Sequence, residues 1–375
     1  MKYKLLTYIL ICCFPIFLTG CWDQTLLKEV SLIKAQAFDI GNDEDQVKTT
    51  IAIVKTDSNI KIPTENIIVS AEGVSSRNSR VELDKEIASE LFASKNRVTL
   101  ISSELVKQGD IYALLDVHFR SPLSALSAKL AITDDESGKI LHAQPENNPL
   151  ISNYLYDLIV SEEKMGIIPI SNLQKTFTLL YDDGQDLILP RLTNLEEMAG
   201  AKITGSALFS NNRMTGTLNT DETTLLLLLG NSQKGEHRMT RKVRSNMEST
   251  LYDYITVDVL KSKRKLNVRR VDQNMYDVEI NLTLKLDAIE YPADHMYKKN
   301  TIASLNEILS KQLTREANEI LLSLQKANCD YLGIGRQVQA RYNSSWHTIN
   351  WKEVYPTINM KANVTAEIET HGIVN

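Results

Sequence analysis

The chain has 375 residues, of which 43% are hydrophobic and 24% charged, and its formal net charge is −5. That composition belongs to a folded globular body and excludes a disordered chain. The acidic balance excludes a general nucleic-acid binder, and the length points to two or three domains around more than one core.

The first predicted element is a leader. Met1-Lys2-Tyr3-Lys4 is basic, Leu5 to Phe17 is apolar with Pro15 inside it, and Leu18-Thr19-Gly20-Cys21 closes the run. A basic start, a short apolar core and small residues at the cut read as a signal peptide over 1–20. The run is shorter than the roughly 20 residues of a membrane-spanning helix. Cys21, directly after small residues, is placed for a diacylglyceryl group. Two acyl chains, at about 0.8 kcal/mol per buried methylene, anchor firmly where one is marginal. Trp22 next to it suits the headgroup level. Loss of Lys2 and Lys4 with the leader takes the net charge from −5 to −7. Cys12 and Cys13 leave as well, so Cys329 is the one cysteine left without lipid and no intramolecular disulfide can form.

Behind the leader, strands and helices alternate. Strands are predicted over Thr49 to Val54, Asn66 to Val69, Arg97 to Ile101, Lys129 to Thr133 and Leu187 to Leu192. Helices are predicted over Val81 to Phe92, Ile111 to Phe119 and Leu150 to Ser161. Near Gly200 the pattern changes. Lys202 to Phe209 and Met214 to Leu218 read as a hairpin. Thr220 to Leu229 reads as a capped helix, its leucine run far too short to span a bilayer. Three strand-like runs follow, Tyr254 to Leu260, Lys265 to Val271 and Tyr276 to Leu286; the last alternates apolar and polar residues, the mark of an antiparallel sheet with one wet face. A helix from about Lys299 to Asn328 carries one apolar stripe, from Ile302 to Leu324, that should pack on that sheet. A shorter helix near Gly335 to Tyr342 and a strand over Thr357 to Thr370 complete the chain. The expected fold class is α+β (mixed α/β) and multidomain. The N-terminal half, 21–198, alternates strands and helices. The C-terminal half, 199–375, has an antiparallel sheet packed by the long helix, and a further division would give three domains in all.

No catalytic constellation is visible. The six histidines, His118, His142, His237, His295, His347 and His371, are scattered, and His-Glu-x-x-His, Cys-x-x-Cys and Gly-x-Ser-x-Gly are missing. Gly333-Ile334-Gly335 begins like a dinucleotide loop but lacks the third glycine and follows a helix. Asp182-Asp183 and Glu196-Glu197 read as solvated turns. No cofactor or metal site and no enzymatic activity are expected. The basic run of Lys261, Lys263, Arg264 and Lys265 reads first as a solvated strand face, where lysine blocks edge pairing, and second as a contact for anionic lipid or an acidic partner. Trp346, Trp351 and Tyr355-Pro356 read first as core and second as a partner-facing surface.

Several fragments, in order, resemble one known family. Gly20-Cys21-Trp22-Asp23 resembles the lipidation junction of the Ger(x)C family, the lipoprotein C subunits of spore germinant receptors. Ser79-Arg80-Val81, the run Leu91 to Glu104 and His118-Phe119-Arg120 continue the likeness. So do Thr204 to Phe209, Gly216-Thr217-Leu218, Asp221-Glu222-Thr223 and Trp351-Lys352-Glu353-Val354-Tyr355-Pro356. Gln24-Thr25-Leu26 and Ser121 to Ala125 depart from the family's usual residues. The resemblance implies a non-catalytic subunit of three α/β domains without a cofactor. It would be lipid-anchored on the extracytoplasmic face of the cell membrane, at the spore inner membrane, and would act with membrane-embedded A and B subunits in nutrient-triggered germination. Trp22, Lys261, Lys263, Arg264, Lys265 and Trp351 are the candidate contacts to partner or membrane. Two rival classes are a solute-binding lipoprotein of a transporter, which predicts two similar lobes around a cleft, and a lipid-anchored hydrolase.

Overall fold

A computed structural model describes residues 30–55, 66–145, 148–195, 200–231, 235–244, 250–272 and 274–372. The leader, Cys21 and Trp22 lie outside the described residues.

The chain is a mixed α/β, multidomain protein with two sheets. The first sheet begins with β1 (Val30–Ile40), β2 (Val47–Lys55) and β3 (Ile67–Gly73). Helix α1 (Ser76–Glu86) follows, then β4 (Glu90–Phe92), β5 (Val98–Ser102), α2 (Ser103–Gln108) and α3 (Ile111–Arg120). Next come β6 (Lys129–Thr133), α4 (Ser137–Leu141), α5 (Ile151–Lys164), α6 (Leu173–Leu180) and β7 (Ile188–Asn194). The hairpin β8 (Ala201–Ser210) and β9 (Arg213–Leu218) ends the sheet. Its order is β3-β2-β1-β5-β6-β7-β8-β9, with β4 beside β1. The central strands β1, β5, β6 and β7 run parallel, and the flanking pairs antiparallel. Helices α4 and α5 pack on one face and α2, α3 and α6 on the other. Because β7 pairs with β8, this sheet runs across the division expected at 198.

Two differences from the expected elements have physical causes. The residues of α1 start at Ser76, five before the predicted Val81, because Ser75 caps the helix by accepting from the Asn78 amide. Leu91, predicted helical, lies in β4 beside β1.

The second sheet has the order β10-β11-β12-β13. Helix α7 (Thr220–Leu229) leads into β10 (Met239–Lys242), β11 (Tyr254–Asp272) and β12 (Met275–Glu290). The long helix α8 (Lys299–Lys326) is followed by α9 (Ile334–Arg341), α10 (Asn343–Trp346), α11 (Trp351–Val354) and β13 (Asn359–Thr370). The two strand-like runs predicted between Tyr254 and Val271 are one strand with a register shift between Val259 and Lys261. The antiparallel reading holds for β10 to β12. Strand β13 joins parallel to β12, as a strand returning through a helical crossover can.

The stripe on α8 is buried as expected from Leu305 on, with Leu305, Leu309, Leu313, Ala317, Ile320, Leu321 and Leu324 facing the core, while Ile302 at its start is half-buried against it. A second, polar stripe covers the outer edge of β13. The amide of Ile368 donates to Asn306 (2.9 Å), that of Ala366 to Ser310 (2.9 Å), that of Val364 to Thr314 (2.9 Å) and that of Ala362 to Asn318 (3.0 Å). Four helical residues rise about 6.0 Å and two strand residues about 6.6 Å, so each step along the helix meets the next outward-facing amide. One core joins the sheets. Ile188, Leu208 and Leu218 of the first pack in the same cluster as α7, α8, β11, β12 and β13.

Candidate functional site

The basic run lies on β11. Beyond Val257 this strand has a strand neighbour only on the β12 side among the described residues. Lys261, Lys263 and Lys265 are exposed. Arg264 turns to the other face, where its guanidinium donates to the Leu229 carbonyl at 3.1 Å and burial lowers its pKa. Lys285, opposite Lys261, is held by Glu367 and Glu369. The run therefore presents three lysines together, with Arg264 apart from them.

Trp351 is only 5% exposed. It sits in a polar seam where the two sheets meet. Loop 182–187 before β7 supplies Asp182, Gln185 and Asp186. The segment between α8 and α9 supplies Cys329, Asp330 and Tyr331, and α11 supplies Trp351 and Lys352. The backbones of Asp186 and Asp330 are linked, the Asp186 amide donating to the Asp330 carbonyl at 3.0 Å. The Asp330 amide donates to the Asp186 carboxylate at 2.6 Å. Lys352 donates to the same carboxylate and, at 3.1 Å, to Ser210 at the end of β8. Gln185 donates to the Tyr331 carbonyl at 2.7 Å, and Arg336 of α9 pairs with Asp182.

Asp330 is the centre of the seam. Its carboxylate accepts from the amides of Ile334 (2.9 Å) and Gly335 (2.7 Å) and from the Trp351 indole (3.0 Å). This explains Gly333-Ile334-Gly335: the start of α9 binds an anion, and the anion is the chain's own aspartate. Gly333 takes a positive φ of 68° there. A Cβ on Gly335 would meet the Trp351 Nε1 at 2.7 Å and Gly184 at 2.9 Å, so the backbones approach too closely for a side chain. Burial lifts Asp330 to about 7, with the two amide bonds opposing the rise. Burial also raises Asp186, against the pull of Lys352. Cys329 and Tyr355, both buried in the seam, are pushed well up for the same reason. The Tyr355 hydroxyl donates to the Cys329 carbonyl at 3.0 Å.

Beside the seam lies an open cavity of about 540 Å³, lined by Asp183, Phe209, Asn211, Trp346, Trp351 and Lys352 among others. Chemically, the seam's carboxylates are spent on amides, an indole, a guanidinium and an ammonium group, which suits it to fixing one sheet against the other. Among the described residues no group of three or more His, Cys, Asp or Glu is placed to hold a metal ion. No helix there is long and apolar enough to cross a membrane. Sequence reasoning found Trp351 but missed Asp330 and Asp186. The available signal was an acid four residues ahead of a glycine-flanked helix start.

Two family models together cover both sheets and divide the first of them. "Spore germination protein N-terminal domain" matches residues 23–194, and "Spore germination B3/ GerAC like, C-terminal" matches 204–372. The chain belongs to the Ger(x)C family of spore germination proteins. The first matched region ends with β7, and the second begins inside β8. Spore germination protein B3 of Bacillus subtilis (strain 168) is 21% identical to this Ger(x)C chain over 371 residues, 95% of each. Spore germination protein KC of the same organism is 20% identical over 406 aligned residues, covering 100% of this chain and 98% of that one. The crystal structure of the GerBC protein has the same fold, with a TM-score of 0.57 and 20% identity over 89% of this chain and 97% of that one.

Proposed function

We propose that this Ger(x)C chain is the lipid-anchored, non-catalytic C subunit of a spore germinant receptor, working with membrane-embedded A and B subunits at the spore inner membrane. The observation that carries this reading is coverage: the likeness to germination proteins B3 and KC runs the length of the chain, through both sheets. The Leu18-to-Cys21 junction supports the anchor. A tether would hold the body near its membrane partners at high effective concentration, so that modest contacts suffice. The exposed lysines of β11 and Trp22 are the contact candidates in this reading. Trp351 would act indirectly, through the seam. A solute-binding lipoprotein is not favoured: the nine-stranded and four-stranded sheets are not a pair of similar lobes.

Deleting the gene, in a strain without sister receptors, should slow germination in one class of nutrient and leave growth unchanged. Calcium dipicolinate should still trigger those spores. Cys21→Ala should abolish fatty-acid labelling of the chain and reproduce much of the defect. Normal germination of the deletion in every nutrient would refute the receptor reading. Wild-type labelling of Cys21→Ala would refute the anchor alone.

A further inference from the structure

Two fragments far apart in the sequence, Ser79-Arg80-Val81 and His118-Phe119-Arg120, meet in the first sheet. Arg80 on α1 and His118 on α3 line one small cavity, of about 70 Å³, whose floor is Gln36, Phe38, Thr49 and Ile51 of β1 and β2. A water's share of liquid volume is roughly 30 Å³, so the space suits a carboxylate head. An outer cleft of about 480 Å³ shares Arg77, Arg80, Ala93 and Ser121 with it. The walls of the outer cleft include Ile87, Ala88, Leu91, Phe92 and Leu123.

The polar groups here are under-satisfied, and all in the same sense. The Arg80 side chain is 16% exposed, and its ion pair, to an Asp84 side chain that is 44% exposed, is long at 3.4 Å. Its Nη2 donates to the Leu91 carbonyl. A charge so far buried, with a long ion pair to Asp84 and only through-space attraction to Glu90, is costly. Arg77 stands exposed at the mouth of both cavities and adds a second positive charge there. His118 is buried, with Nε2 lying 2.6 Å from the Gln36 amide nitrogen, which also donates to Thr99 at 2.9 Å. With the amide donating, the neutral imidazole carries its proton on Nδ1, and that buried atom has no partner. Burial lowers the His118 pKa to about 4, so the ring is a neutral donor at pH 7. Asp84 and Glu90 stand in the outer cleft, which leaves the excess of positive groups on the inner side.

We propose that this cleft is a binding site for a carboxylate carried on a short apolar body, the carboxylate in the inner cavity against Arg80 and His118 and the body along the outer walls. Arginine's planar fork matches a carboxylate, and the lining combines apolar wall with a few converging donors. The proposal is independent of the receptor reading.

The test uses the full chain in nonionic detergent, titrated calorimetrically with sodium butyrate and with butyramide. Butyrate should bind saturably and butyramide at least tenfold more weakly. Arg80→Gln should weaken butyrate at least tenfold. Ala93→Phe, which narrows the wall shared by both cavities and keeps every charge, should do the same and covers the case in which Arg80→Gln fails to fold. The His118 ring ¹⁵N signal should move with butyrate. A tetrapeptide with a free C-terminus, compared with its amide, separates the sources. Tighter binding of the free peptide than of butyrate points to a partner chain's carboxylate, and the reverse to a free acid. Absence of saturable butyrate binding, equal binding of butyramide, or unchanged binding in the folded variants would overturn the site and leave the cavity to water.

Discussion

Replacing Asp330 by asparagine keeps the shape of the side chain and removes its charge. The folded carboxyl titrates at about 7, against 3.8 for the unperturbed group. Between those values the folded chain binds more protons than the unfolded one, so stability falls as pH rises through the window. The gap from 3.8 to about 7 corresponds to about 4 kcal/mol over the whole range. Below the window the protonated acid and the asparagine are similar. Each has a carbonyl oxygen to accept with and a donor group facing an N–H. The acid's hydroxyl oxygen still accepts, so Asp330→Asn should start roughly 1–3 kcal/mol less stable. As pH rises it should gain on the wild type by about 1.4 kcal/mol per pH unit and overtake it. Urea unfolding of both proteins at steps between pH 4.5 and 8, taken as a difference, cancels the shared contributions of other groups. A difference constant to within about 0.5 kcal/mol would refute the reasoning: the three N–H donors would then hold Asp330 ionised throughout.

Two further perturbations test the packing of α8. Leu313→Asp places an unpaired carboxylate between helix and sheet, where the wild-type side chain is 1% exposed. It should cost several kcal/mol and abolish a cooperative melt of the second sheet, as read by near-UV circular dichroism. Asn318→Ala leaves the amide and carbonyl of Ala362, now bonded at 3.0 and 2.8 Å, without partners. At about 1–3 kcal/mol per orphaned group, the urea midpoint should drop markedly with no change in far-UV signal, and Asn318→Leu should behave no better.

The long periodic elements were legible in the sequence because each carries its environment in its own pattern. The α8 stripe and the alternation of β12 each reflect one buried face, so residue type repeats with the element's period. Strand β1 was not found. Nearly all of it is buried, on both faces, so the sequence Val30–Ile40 shows no alternation, and Lys34 and Gln36 dilute the apolar run. The hairpin after Gly200 was recognised as a hairpin, but its edge pairing with β7 is a long-range choice that local pattern does not encode. The candidate site was legible in part. Trp351 and Lys352 stand in a fragment that resembles the Ger(x)C family, yet their partners Asp330 and Asp186 are separated by 144 residues. Asp182-Asp183 looked like a solvated turn because nothing nearby in sequence reveals Arg336. Burial of an acid depends on what folds over it, and composition is silent on that.

The polar stripe of α8 works as a vernier. Helix and strand are two scales with nearly equal divisions, and they stay in step from Asn306 at Ile368 to Asn318 at Ala362. Substitution can vary freely at the outward marks Glu307, Lys311, Arg315 and Glu319, which are exposed. Length cannot. One residue inserted between Asn306 and Asn318 turns the rest of the helix by about 100°, carrying the polar stripe off the strand and the apolar stripe off the core together. One residue inserted in β13 turns its outward amides inward. This stretch of the chain is therefore open to evolution by replacement and closed to insertion or deletion, while the loops around it can lengthen at small cost.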